Sequence, residues 1–189
     1  MNPFKKFELW FNLAKKKYPF DHTAFALATT DNKNPSVRMV LLKLILKDGF
    51  VFFTNLHSKK GKHFLTNNNL SMCFYWESIN RQIRVTGKGK IVDTQMADEY
   101  FSSRPRGSQI GAWASKQSSV IASKNILLDR EKKYKKRFEG LNVPRPDHWV
   151  GIKILPNEFE FWKQGEFRLH ERELYSLKKK IWERKILSP

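Results

Sequence analysis

Four stretches of the chain hold the side chains best suited to gripping anions or moving protons. The first is Arg38-Met39-Val40-Leu41-Leu42-Lys43, two cations bracketing an apolar run. Alternation along a strand puts Arg38 on one face and Lys43 on the other. A cation beside so apolar a strand reaches either water at an edge or an anion. The second stretch is Thr54-Asn55-Leu56-His57-Ser58-Lys59-Lys60-Gly61-Lys62, a strand end followed by a Ser58-capped helix with lysines in its first turn. Positive charge there opposes the helix dipole by roughly 0.3–1 kcal/mol per residue. A phosphate at the same place would draw the lysines and the free N–H groups together, and a solvated lysine cluster is the alternative.

The third stretch holds Tyr100, then Arg104-Pro105-Arg106-Gly107-Ser108-Gln109 and Ser115-Lys116-Gln117-Ser118-Ser119. Tyr100, Arg104 and Ser108 stand four apart, but Pro105 disfavours a helical Arg104 and suits the first position of a new short helix. The N–H groups of residues 106–108 are then free beside Arg104 and the Ser108 hydroxyl, which makes a second phosphate cradle; a plain linker between helices is the alternative. The fourth is Glu160-Phe161-Trp162-Lys163-Gln164-Gly165-Glu166-Phe167-Arg168-Leu169-His170-Glu171-Arg172. As a strand, residues 168–172 put Arg168, His170 and Arg172 on one face, roughly 6.5–7 Å apart. Two guanidiniums around an imidazole repel one another, so they suit an anionic pocket or solvent rather than a core.

Other site types drop out. The five histidines show no metal-ligand spacing, so no metal site is expected. Leu56 and His63 break the phosphate-loop pattern around Gly61-Lys62, and there is no Gly-x-Ser-x-Gly elbow. Gly87-Lys88-Gly89 reads as a strand bulge. Cys73, the single cysteine, sits in an apolar run as a buried structural thiol.

The elements that must position these groups follow from periodicity. Apolar residues at helical spacing behind Pro3 open the chain with an amphipathic helix within residues 1–20. Strands are expected at 23–30, 36–46, 50–54, 70–76 and 82–92, with a helix at 58–67 between the third and fourth. Helices follow at 94–102 and 123–138, then strands at 149–155, 158–162, 168–177 and 181–186. Seven or more hairpin-linked strands with few helices argue for a mostly β protein with α elements, an antiparallel barrel with helices packed outside. Its 189 residues fit one domain, 1–189.

The net charge is +18, from 36 Lys and Arg against 18 Asp and Glu. Such charge prompts a nucleic-acid or membrane-surface hypothesis. The runs at 130–137 and 178–180 sit on helix or turn positions, the first with an acid interspersed, and read as solvated faces, so no specific nucleic-acid partner is expected. Neither a signal-peptide pattern nor a membrane-length apolar stretch is present, so no membrane partner and a cytoplasmic location are expected.

Together and in this order, Arg-x-Val-Leu-Leu-Lys, Ser-Arg-Pro-Arg-x-Ser-Gln-Ile-Gly-Ala-Trp, Ser-Lys-Gln-Ser-Ser and Glu-Phe-Trp…Arg-Leu-His-x-Arg resemble the pyridoxine/pyridoxamine 5′-phosphate oxidase family. The similarity runs from about residue 23 to the end. It implies a split β-barrel with flanking helices and a homodimer with FMN at the subunit interface, the strands within 140–189 completing the active site. Flavin contacts implied by the resemblance are Arg38, Met39, Val40, Leu41, Lys43, Phe53, Thr54, Lys59, Lys60, Gln82, Gln117, Ser118, Trp162 and Arg172. Substrate contacts so implied are Lys43, Tyr100, Arg104 and Ser108 on the phosphate, with Arg168 and His170 as the catalytic pair over the pyridine ring. The implied reaction oxidises pyridoxamine or pyridoxine 5′-phosphate to pyridoxal 5′-phosphate, with hydride passing from C4′ to flavin N5 and O2 giving peroxide.

Three departures from the family pattern stand out. Phe53 replaces a Tyr, Lys59 replaces an Arg, and the chain starts at the first helix, so closure over the pocket is expected to differ. A flavin reductase on the same barrel would lack Tyr100, Arg104, Ser108 and Arg168-Leu169-His170, all of which are present. A non-catalytic pyridoxal-phosphate carrier would bind ligand without making peroxide.

Overall fold

In a computed structural model of the chain, which describes residues 2–189, a single antiparallel sheet dominates. Helix α1 (Pro3–Lys17) starts at Asn2, whose side chain accepts the Phe4 N–H at 2.9 Å. It buries Phe7, Phe11 and Ala14, and Phe7 packs on Phe50 with ring centroids 4.4 Å apart. Strands β1 (Ala24–Thr30), β2 (Pro35–Leu41), β3 (Leu44–Leu46) and β4 (Gly49–Asn55) follow. Helix α2 (Lys59–Thr66) is capped by Ser58, whose Oγ accepts the Gly61 N–H. Next come β5 (Asn69–Trp76), β6 (Arg81–Ile91), α3 (Thr94–Ser102), α4 (Arg106–Ala114) and α5 (Lys124–Arg137). The chain finishes with β7 (Trp149–Lys163), β8 (Glu171–Lys178) and β9 (Ile181–Leu187).

The strand order β2-β1-β5-β6-β7-β4-β3 puts β2 and β3 at opposite ends of the path, although only Leu42 and Lys43 separate them in sequence. The sheet therefore curls until two residues bridge its ends. Leu42 N–H donates to Thr23 O at 2.8 Å on one side, and Lys43 N–H to Val51 O at 2.9 Å on the other. This closure corrects the single strand expected over 36–46. Because alternation is broken there, Arg38 and Lys43 reach the same cleft rather than opposite faces.

Two more boundaries differ from expectation. The strands expected at 149–155 and 158–162 are one strand, β7, whose pairing with β6 slips between Thr86 and Gly87. That slip is the expected bulge. A Cβ on Gly87 would lie 2.2 Å from Leu155 O, so only glycine lets the strands approach this closely. The second difference lies at residues 168–170, described below.

The main core fills the barrel with Phe25, Phe50, Phe52, Phe74, Phe159 and Phe161, closed on one side by α1. A second cluster, Phe101, Ile110, Phe138, Val143 and Trp149, lies under α3, α4 and α5. Cys73 is half-buried rather than fully buried, and burial pushes its thiol pKa up. Among the described residues no helix is long and apolar enough to cross a membrane.

Candidate active site

Between the barrel and the helical cluster lies a cleft of about 600 Å³. Strand β2 and its exit supply Arg38, Met39, Val40, Leu41 and Lys43; the end of β4 supplies Phe53 and Thr54. Lys60 enters from α2 and Gln117 from the loop after α4. Tyr100, Arg104 and Ser108 line the same cleft from α3 and the start of α4. Nine of the expected flavin residues and the four expected phosphate-holding residues are thus brought together, with Lys43 counted in both.

Burial and like charge dominate the electrostatics of this cleft. Burial lowers the pKa of the Arg38 guanidinium. Burial, and then the charge of Arg38, lower that of Lys60, whose Nζ donates to Gln117 Oε1 at 3.0 Å. Arg104 is likewise lowered by burial, while burial raises Tyr100. Arg104 Nη1 and Thr54 Oγ1 are both buried without a hydrogen-bond partner. Unpaired buried donors cost about 1–3 kcal/mol each, so an acceptor of matching shape offsets that cost.

An aromatic stack holds Tyr100 and Arg104. Phe53 lies parallel to Tyr100 (4.1 Å, 3°) and to Trp149 (5.0 Å, 7°), and the Arg104 guanidinium sits 4.8 Å from the Trp149 ring. Tyr100 and Phe53 therefore lack rotational freedom, and the hydroxyl missing from Phe53 is missing at the edge of this stack. Pro105 caps α4 instead of occupying its first turn. Its carbonyl accepts the Ser108 N–H at 2.8 Å, so that N–H is not free as expected; Arg106 and Gly107 retain theirs.

Lys59 and Ser118 line an adjoining cleft of about 900 Å³, which shares Asn55, Ser115 and Gln117 with the first. Asn55, Gly111, Ala112 and Ser115, inside the quoted stretches but not among the expected contacts, also line the main cleft, as does Trp149, to which no motif pointed. Trp149 arrives only through the register of β4 with β7, where it faces Asn55.

Gln82, Trp162, Arg168, His170 and Arg172 line neither cleft. Gln82, Trp162 and Arg172 adjoin one another instead on β6, β7 and β8, where Gln82 pairs with Trp162 and Trp162 with Arg172, and Arg168 and His170 lie in the turn before β8. Arg172 is fixed by buried Glu160, which accepts its Nε–H at 3.0 Å and also pairs with Arg84; its Nη1 donates to Ser188 O at 2.8 Å. The strand expected over 168–177 begins only at Glu171. Phe167 (φ 51°) and Arg168 (φ 65°) are left-handed, so Arg168, His170 and Arg172 do not alternate on one strand face. A Cβ on Gly165 would lie 2.0 Å from Leu169 O, which shows how tightly this turn closes. His170 Nδ1 accepts the Gly165 N–H at 3.3 Å and its ring lies 4.7 Å from Trp162, while Arg168 is exposed.

Comparison with known proteins gives this arrangement its class. A pyridoxamine 5′-phosphate oxidase-related, FMN-binding protein from Nostoc punctiforme PCC 73102 has the same fold, with TM-score 0.79 over 100% of this chain and 99% of that one at 14% identity. PhzG from Burkholderia lata 383, solved with tetrahydrophenazine-1-carboxylic acid, superposes with TM-score 0.92 at 26% identity, covering 99% of this chain and 92% of that one. The fold is therefore the split barrel that these two proteins share.

Sequence comparison narrows the class to a family. The family model for pyridoxamine 5′-phosphate oxidase matches residues 15–137, and that for the pyridoxine 5′-phosphate oxidase C-terminal dimerisation region matches 149–189. The pyridoxine/pyridoxamine 5′-phosphate oxidase of Pelagibacter ubique (strain HTCC1062) is 50% identical over 100% of this chain and 92% of its own length. That of Zymomonas mobilis is 44% identical over 100% and 98%. The chain belongs to the pyridoxine/pyridoxamine 5′-phosphate oxidase family.

Proposed function

We propose that this chain oxidises pyridoxamine and pyridoxine 5′-phosphates to pyridoxal 5′-phosphate with bound FMN, as a cytoplasmic homodimer. The observation that carries this reading is the cleft that gathers Arg38, Lys43 and Lys60 beside Tyr100, Arg104 and Ser108. It holds two unpartnered buried polar atoms, Thr54 Oγ1 and Arg104 Nη1. Two phosphorylated ligands side by side satisfy both sets. FMN fits the first set, with Arg38, Lys60, Gln117 and the neighbouring Lys59 and Ser118 as its anionic-end contacts, and Thr54 as a hydroxyl partner.

When bound, FMN would supply a two-electron acceptor for C4′, with O2 as the final oxidant. The chain's own residues bind and orient. Arg104, Tyr100, Ser108 and Lys43 hold the substrate phosphate, which fixes where C4′ sits. Arg168 positions the ring so that C4′ can give up its hydride and the 4′ amine or hydroxyl its proton, and His170 holds the 3-oxygen.

Since Gln82, Trp162, Arg168, His170 and Arg172 lie away from the cleft of their own chain, a second copy supplies them. Two features support that assembly. The segment bearing all but Gln82 falls in the match to the dimerisation region, 149–189. Edge strand β2 also exposes Val37 (67%), Met39 (63%) and Leu41 (38%), an apolar row at the mouth of the cleft.

One spectrum tests the reading. Purified protein is expected to show flavin bands that bleach anaerobically on adding pyridoxamine 5′-phosphate. A colourless chain that gains no flavin on reconstitution would overturn it. Lys59 supports a further prediction, because an ammonium replaces a bidentate fork at this position. Lys59→Arg is expected to tighten FMN binding by about threefold to tenfold, read as Kd by flavin fluorescence quenching. An unchanged Kd would remove Lys59 from the flavin contacts.

A further inference from the structure

One polar chain in the barrel wall touches the cleft at a single residue and runs away from it. Arg38 Nη1 donates to Leu27 O and to Thr29 Oγ1, each at 2.9 Å. Thr29 Oγ1 lies 3.3 Å from His63 Nδ1, and His63 Nε2 lies 3.9 Å from Asp31 Oδ2. Thr29 and His63 are nearly sealed from solvent, at 4% and 5% exposure. Placing a histidine and a hydroxyl there is costly unless each proton has an assigned acceptor.

The donor inventory fixes the first of these contacts. A guanidinium has only donors, so Thr29 Oγ1 accepts from Arg38. That leaves Thr29 one hydroxyl proton, which a neutral His63 can accept at Nδ1 while its ring proton stands on Nε2, 3.9 Å from Asp31 Oδ2. Asp31 is itself anchored: its Oδ1 accepts the N–H groups of Lys33 at 3.0 Å and Asn34 at 2.7 Å, and those bonds hold its pKa below the usual carboxylate value. Arg38, Thr29, His63 and Asp31 thus form a relay of contacts, rooted in the β1–β2 turn and ending on a cation of the cleft. It also crosses from β1 to α2, the helix that brings Lys60 into the same cleft.

We infer that His63 is a positioning residue for the flavin site: through Thr29 it fixes the Arg38 guanidinium and sets it relative to Lys60. This rests on the proposed FMN reading. Arg38 and Lys60 are like charges, and after burial the charge of Arg38 lowers Lys60 further, so two bonds hold Arg38 beside it: one to Leu27 O, and one to Thr29 Oγ1 that the relay orients. Nothing in the composition or spacing marks His63, which looks like an ordinary helix residue in the sequence.

The test is FMN titration of the apoprotein, read by flavin fluorescence, with thermal melting of the same apoprotein in parallel. His63→Leu keeps the packing and removes the acceptor; it is expected to raise the FMN Kd about tenfold. His63→Asn, whose amide oxygen can stand near Nδ1, is expected to restore Kd to within about threefold of wild type. The double variant Thr29→Val/His63→Leu is expected to bind no more weakly than Thr29→Val alone, because the relay is already cut. Binding by His63→Leu within about twofold of wild type overturns the assignment, as do additive effects in the double variant. A loss of affinity that His63→Asn does not rescue, and that tracks a fall in apoprotein melting temperature, also overturns it, since that marks a packing role only. A wild-type chain that takes up no FMN overturns the flavin reading itself; an indifferent His63→Leu variant of a flavin-binding chain overturns the relay alone.

Discussion

Arg168→Ala is expected to purify with FMN bound and to lose at least about 30-fold in kcat/KM for pyridoxamine 5′-phosphate, or about 2 kcal/mol of transition-state stabilisation. The side chain is exposed and makes no hydrogen bond among the described residues, so its removal costs the fold little. Its backbone is another matter. Phe167 and Arg168 are consecutive left-handed residues without the freedom of glycine, a conformation costing of order 1 kcal/mol or more per residue. The turn persists because Gly165 packs under Leu169 O and donates its N–H to His170 Nδ1. Strain held in this way aims one guanidinium and one imidazole in a direction an ordinary strand would not give them. Steady-state kinetics on flavin-saturated enzyme checks the prediction. Turnover near the wild-type rate would end the catalytic assignment of Arg168.

Arg104→Leu is expected to raise KM for the phosphorylated substrate about 30- to 100-fold, with the FMN Kd unchanged and the free protein no less stable. The reasoning starts from the free state. Arg104 is partly buried over the Trp149 and Phe101 rings, its Nη1 has no partner, and burial alone lowers its pKa. A charge kept half-desolvated without an acceptor destabilises the empty protein, so an apolar replacement of similar reach relieves that cost. The same group gains a charge-assisted bond only when a phosphate arrives. Binding and stability should therefore move in opposite directions. Initial-rate kinetics beside a thermal melt checks both, and a KM within about threefold of wild type would remove Arg104 from the phosphate site. A variant that lost stability as much as affinity would assign Arg104 to packing instead.

Much of the fold was legible because its signals are local. Pro3 opens the first helix and Ser58 caps the second where the sequence places them, and Gly87 makes the bulge where two strands approach too closely for a side chain. The errors arose where a local rule met a long-range constraint. Alternation through residues 36–46 is a sound rule for a lone strand, but barrel closure changes the pairing partner at Leu42 and Lys43. At 168–170 a tight turn overrode strand propensity, because the backbone is held by Gly165 and not by a neighbouring strand. Pro105 was displaced by one position, enough to commit the Ser108 N–H to the Pro105 carbonyl.

The candidate site divides in the same way. Residue type and spacing by themselves determined the chemistry: two clusters of cations and hydroxyls fit for phosphates, and an Arg-Leu-His-x-Arg segment that is not core. They did so because charge and hydrogen-bonding capacity belong to the side chain wherever it is folded. Tertiary structure alone decided which groups share a cleft. It joined Arg38 to Lys43, brought Trp149 beside Phe53 and Tyr100, tied His63 to Arg38 through Thr29, and left Arg168, His170 and Arg172 apart from all of them. Those adjacencies depend on strand register and barrel closure between residues tens of positions apart, which no local periodicity encodes.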